Sequence, residues 1–77
     1  MKLEIISPDK VIFTGDVTSV QLPGTDGYFE VLNDHAPIIS SLKKGQIRLI
    51  LENGEKEIIQ TESGFVEVID NKITVLI

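Results

Sequence analysis

Apolar and polar residues alternate along almost the whole chain with a period of two, the spacing that turns successive side chains to opposite faces of a strand. Leu3 and Ile5 share one face of a first strand. Ser7-Pro8-Asp9-Lys10 then predicts a turn, because proline presets the backbone of its second position, and residues 11–13 resume a strand that reaches Gly15. Over residues 16–22 the same period sets Thr18, Val20 and Leu22 on one side and Val17, Ser19 and Gln21 on the other.

Pro23-Gly24-Thr25-Asp26-Gly27 interrupts this run as a loop with two glycines, and residues 28–32 form a short aromatic and β-branched strand. Asn33-Asp34-His35-Ala36-Pro37 is irregular, since proline disfavours helical geometry at the residue before it, and Ile38 and Ile39 begin another strand. After Lys43-Lys44-Gly45, residues Ile47, Leu49 and Leu51 alternate with Gln46, Arg48 and Ile50. Asn53-Gly54 predicts a two-residue type I′ hairpin loop flanked by Glu52 and Glu55, because both central positions of that turn need positive φ. Residues 56–61 return antiparallel, residues 65–69 follow Glu62-Ser63-Gly64, and Asp70-Asn71 turns the chain into a last strand with Ile73, Val75 and Ile77 in a row. About eight to ten short strands without an amphipathic helix predict one all-β domain over residues 1–77, an antiparallel sandwich or flattened barrel.

Composition narrows the classes of function. A chain of 77 residues buries only about 60% of its extended surface on folding, so its stability is modest unless a partner adds to it. No cysteine is present, which removes disulfides and thiolate metal sites as supplements to the core. No apolar run approaches the roughly 20 residues of a membrane-spanning helix, and the N-terminus alternates at once instead of forming a secretory signal; the expectation is a soluble chain without direct membrane insertion. Twelve acidic against seven basic residues give a net charge of −5, which repels a phosphate backbone and argues against nucleic acid as a partner. The same charge steers the domain towards basic surfaces.

Candidate chemistry is sparse. His35 lies next to Asp34 and near Ser40, the one group that suggests an activated serine, although a His beside Asp in a proline-containing loop is more often a structural or interface residue. One His and scattered carboxylates lack metal-ligand spacing. Gly24, Gly27 and Gly45 are turn glycines, because phosphate-cradling loops open a helix and none follows. The glutamates 52, 55, 57, 62 and 67 mostly alternate with apolar neighbours as solvated strand faces. What resists so plain an account is Tyr28, Phe29 and the stretch 33–37, aromatics and a His-Ala-Pro sequence in or beside loops, where binding usually resides.

Those residues carry a resemblance. Ile-Ser-Pro at 6–8, Phe-Thr-Gly-Asp-Val at 13–17, Gly-Tyr-Phe-Glu-Val-Leu-Asn-Asp-His-Ala-Pro-Ile-Ile at 27–39, Leu-Lys-Lys-Gly-Gln-Ile-Arg-Leu at 42–49, Ser-Gly-Phe-Val-Glu-Val at 63–68 and Asn-Lys-Ile-Thr-Val-Leu at 71–76 together resemble the N-terminal β-sandwich domain of the F-type ATP synthase epsilon subunit. The resemblance spans practically the whole chain. It departs at Glu30, where the family often carries a second glycine, and at Ile77, where most members continue into a C-terminal helical hairpin.

The resemblance implies a non-catalytic rotor subunit, peripheral on the cytoplasmic face of the bacterial membrane, that links the gamma shaft to the loops of the proton-conducting c-ring. It implies a short form without the helical hairpin, and hence no cofactor and no tight ATP binding. Gly27, Tyr28, Phe29, Glu30, Asn33, Asp34, His35 and Pro37 are the implied ring-facing residues at one end of the sandwich, and Ser7, Ile38 and Ser40 the gamma-facing ones. Periodicity alone leaves a different class open, a free-standing module that binds peptides or proteins by adding a strand to a sheet edge.

Overall fold

Eight strands and no helix make up the computed structural model, which describes residues 1–77. They are β1 (Lys2–Ile6), β2 (Val11–Gly24), β3 (Gly27–Leu32), β4 (Ile38–Leu42), β5 (Gly45–Leu51), β6 (Lys56–Thr61), β7 (Gly64–Ile69) and β8 (Lys72–Leu76). The hydrogen-bonded order runs β1-β8-β7-β4-β2-β5-β6, with β3 on the other side of β2 and β1 also pairing β2. This is the expected sandwich, closed on itself like a flattened barrel.

The fourteen residues of β2 form one strand where the sequence suggested two. A straight strand of that length would span about 43 Å at a rise of roughly 3.3 Å per residue, yet the longest extent of the molecule is 27 Å. The strand must therefore bend. Its first part pairs with β1, and its second pairs with β5 over residues 17–21 and with β3 over residues 19–24, so β2 passes from one layer of the sandwich to the other.

The bend is made by a bulge at Thr18. Val17 pairs with Leu51 and Ser19 with Ile50, so β2 advances two residues while β5 advances one. A single inserted residue shifts the alternation. Val17 is completely buried with Val20 and Leu22, while Thr18 is exposed and its hydroxyl donates to Ile50 O at 3.3 Å. Strict alternation over residues 16–22 had put Val17 and Thr18 on the wrong faces.

The two-residue loop expected at Asn53-Gly54 does not form there. At residues 51–54, Gly54 N–H donates to Leu51 O at 2.9 Å and only Gly54 has positive φ, at 90°. The hairpin closes between Leu51 and Glu55, whose carbonyl accepts from Leu51 N–H at 2.8 Å, so the connection is a three-residue loop ending in a glycine bulge. The two-residue loop with both central residues at positive φ is instead Asp70-Asn71, at 50° and 60°, between the paired Ile69 and Lys72.

Thirteen buried apolar side chains form one cluster between the layers, including Leu3, Ile5, Val31, Ile47, Leu49, Val66, Ile73 and Val75. Closure depends on β1 and β8, which run parallel in register from Lys2 opposite Lys72 to Ile6 opposite Leu76. Every other strand pair is antiparallel.

Candidate partner-binding surfaces

The sequence-derived residues do not gather at one end of the sandwich. β3 carries Gly27 at one end and Leu32 at the other, about 17 Å apart at the usual rise per residue. Gly27 and Tyr28 sit beside Gly24, Leu42 and Gly45, whereas the loop at 33–37 sits beside Met1 and the β7–β8 turn. A single loop-bearing tip holding both sets is excluded.

What β3 does offer is a continuous edge. It pairs only with β2, and Tyr28, Glu30 and Leu32 face outward while Val31 is buried and Phe29 packs against the core. Phe29 is thus a core-facing side chain, contrary to its expected place on the binding side. Glu30 lies in regular strand opposite Gln21.

The loop after β3 is held by side-chain amides. Asn71 Oδ1 accepts from Asp34 N–H at 2.8 Å, Asn71 Nδ2 donates to Asn33 Oδ1 at 3.3 Å, and the Met1 amine donates to Asn33 Oδ1 at 3.2 Å and to Val17 O at 3.1 Å. Asp34 adopts φ of 61°, a left-handed conformation that Asp and Asn tolerate better than other side chains. Asn33 is therefore a structural tie, and Asp34 is presented on the exposed turn that it anchors.

His35 and Ser40 do not assemble a nucleophile. His35 Nδ1–H donates to Ala36 O at 2.7 Å and Ser40 Oγ–H donates to Ser41 O at 3.2 Å, so each engages a neighbouring carbonyl instead of the other. Gly24, Gly27 and Gly45 open no helix, as the chain contains none.

β4 corrects the second surface. Ile38 and Ser40 pair with the buried Val68 and Val66 and share their inward face, and Ile38 packs against the core. The residue that looks out is Ile39, 67% exposed. The ladder β4-β7-β8-β1 aligns Ile39 with Glu67, Thr74 and Glu4, and aligns Ser41 with Phe65, Leu76 and Ile6. Ile39, Phe65, Ile69 and Leu76 thereby share an outer sheet face, all of them exposed. Contiguous exposed apolar side chains mark interaction sites on soluble domains. Ser7, in the β1–β2 turn, where its N–H donates to Lys10 O at 2.9 Å, borders this face and lines a shallow hollow with Ile6 and Leu76.

The doublet Ile38-Ile39 carried a signal for this face: two consecutive apolar residues in a strand cannot both point inward. Ile58-Ile59 shows the same effect, with Ile58 exposed and Ile59 packed on the core.

A family model described as ATP synthase, Delta/Epsilon chain, beta-sandwich domain matches residues 1–77. The chain belongs to the ATP synthase epsilon family. The epsilon chain of Chlorobium limicola is 45% identical over 75 residues, covering 97% of this chain and 85% of the relative. That of Nitratiruptor sp. is 47% identical over 77 residues, covering 100% of this chain and 60% of the relative. Relatives thus differ in how much sequence lies outside the matched sandwich.

Solved structures agree on the fold of this epsilon-type chain. A chain of the Euglena gracilis mitochondrial ATP synthase, OSCP/F1/c-ring, superposes with a TM-score of 0.87 at 22% identity, covering 96% of this chain and 48% of the other. A chain of the Tetrahymena thermophila mitochondrial ATP synthase central stalk/c-ring gives 0.79 at 17% identity, covering 99% and 61%. Epsilon chains are subunits of a membrane-associated synthase and not its catalytic ones, and this chain is of that kind.

Proposed function

We propose that this epsilon-type chain works in the central stalk of a bacterial proton-translocating F-type ATP synthase, at the cytoplasmic face of the membrane, as the rotor part that joins the gamma shaft to the c-ring. The observation that carries this reading is the end-to-end match of the sandwich to epsilon chains. A closed, densely packed β-scaffold resists deformation, which suits a part that transmits torque between two partners.

The two surfaces divide the work. The outward edge of β3 with Tyr28 and Glu30, continued by Asp34, His35 and Pro37, faces the ring loops as a strip along one side, with Gly27 at its far end and Asn33 and Phe29 supporting it from within. The apolar outer face around Ile39, Phe65 and Leu76 faces gamma, with Ser7 at its margin and Ile38 and Ser40 holding β4 from behind. Opposite charges across such interfaces set register and association rate more than affinity, which is the role assigned to Glu30 and Asp34.

Co-purification of the tagged chain with its synthase tests the assignment. Retention of gamma and ring supports it; recovery of short peptides alone would favour strand addition at an open sheet edge. Ile39→Asp is expected to release gamma, and Glu30→Lys with Asp34→Lys to weaken the ring contact while gamma stays bound. Residues 1–77 are assigned no nucleotide site, and calorimetric titration with ATP is expected to show no tight binding.

A further inference from the structure

Asn53-Gly54 is the one place in the chain where an asparagine precedes a glycine. In such a pair the backbone nitrogen of the second residue attacks the side-chain carbonyl carbon of the first. A five-membered succinimide closes and ammonia leaves; water then opens the ring at either carbonyl to give aspartate or isoaspartate. Glycine is the least hindered second residue because it has no Cβ. The other asparagines are followed by Asp34 and Lys72, whose side chains obstruct the attack.

Both reacting groups are restrained in the folded turn. Gly54 N–H, the nucleophile, donates to Leu51 O at 2.9 Å. The Asn53 side chain is held at both ends by Glu55, since Oδ1 accepts from Glu55 N–H at 2.9 Å and Nδ2 donates to Glu55 Oε1 at 2.5 Å. Attack requires the nitrogen to lose its proton and its bond to Leu51, and the amide to swing away from Glu55. Each demands that the tip of the β5–β6 hairpin open.

We propose that Asn53 is the deamidation site of this protein, and that the Glu55 carboxylate latches the turn and sets the rate. The product restores only half of the latch. Its new carboxylate can still accept from Glu55 N–H, but it has no N–H to offer Glu55 Oε1 and lies between two further carboxylates, Glu52 and Glu55. Net charge falls by one unit below −5.

The test follows intact mass and peptide maps of the chain at mildly alkaline pH, folded and in denaturant, with Glu55→Ala and Glu55→Gln beside it. A gain of about one dalton should map to residue 53 and accumulate at least about tenfold more slowly in the folded chain, as expected for a reaction gated by local opening. Glu55→Ala should accelerate it several-fold while far-UV circular dichroism stays unchanged. Glu55→Gln, whose amide oxygen still accepts from Asn53, should restore most of the protection. Equal rates in folded and denatured chain, a gain mapping to Asn33 or Asn71, or a folded Glu55→Ala variant no faster than the parent would each overturn the proposal.

Discussion

The Tyr28 hydroxyl reaches across β2 and accepts the backbone N–H of Gln46 on β5 at 3.0 Å. The reason lies in the strand between them. Extending the β2–β5 register beyond Gln21 and Arg48 would set Gln46 opposite Pro23, which has no N–H and whose carbonyl already accepts from Lys43 N–H at 2.8 Å. Gln46 would lack a ladder partner, and Tyr28 supplies one. The ring passes so close to Gly45 that a Cβ there would lie 2.8 Å from both Tyr28 Oη and Pro23 Cβ.

Tyr28→Phe should therefore cost about 1 kcal/mol, the net worth of one such bond. Hydrogen exchange at the Gln46 amide should quicken while the central amides of β5 keep their protection. Urea denaturation and residue-resolved exchange measure the two effects. An unchanged Gln46 rate would show that water already serves this donor.

Deleting Thr18 should be far less damaging than deleting Gln21, a residue of regular strand in the same β2. Without Thr18, Val17 and Val20 stand two residues apart and alternation still turns both inward, so only the local bend of the bulge is lost. Without Gln21, Val20 and Leu22, each completely buried now, become adjacent and one must leave the core, at a cost of several kcal/mol for a lost side chain and its cavity. Thr18→Ala removes only an exposed hydroxyl bonded at 3.3 Å and should cost under about 1 kcal/mol. Urea midpoints of the three variants separate these cases.

Asp70 and Asn71 occupy the same kind of strained backbone, at φ of 50° and 60°, but only Asn71 ties the turn to the loop at 33–34. Glycine relieves left-handed strain at either site, offset by its greater unfolded-state freedom. Asp70→Gly should be neutral or mildly stabilising. Asn71→Gly, which also strands the Asp34 N–H, should be less stable than Asp70→Gly by about 1 kcal/mol.

Neighbours on β4 should behave oppositely. Ile38 packs on the core but is only partly buried, so Ile38→Ala should cost roughly 1–3 kcal/mol, around the low end of the range for a fully buried isoleucine. Ile39 touches mostly solvent in the isolated domain, so Ile39→Ala should fall within about 0.5 kcal/mol of the parent. If Ile39 meets gamma, the same substitution should weaken co-purification, which Ile38→Ala should affect only through stability.

Alternation in residues 3–5, 47–51 and 73–75 was enough to place strands and name six of the thirteen core residues, because the period of two is a local steric property of extended chain. Motif order along the chain was enough to indicate its family. Nothing local could reveal that β1 pairs in parallel with β8, some seventy residues away, that Thr18 is the inserted residue, or which isoleucine of 38–39 looks outward. An alternating pattern reads the same from either face and with any partner strand, and only burial against specific neighbours breaks that symmetry. Tyr28 and Asn33, five residues apart in sequence, were expected at one end of the sandwich, and the strand between them sets them at opposite ends of the domain.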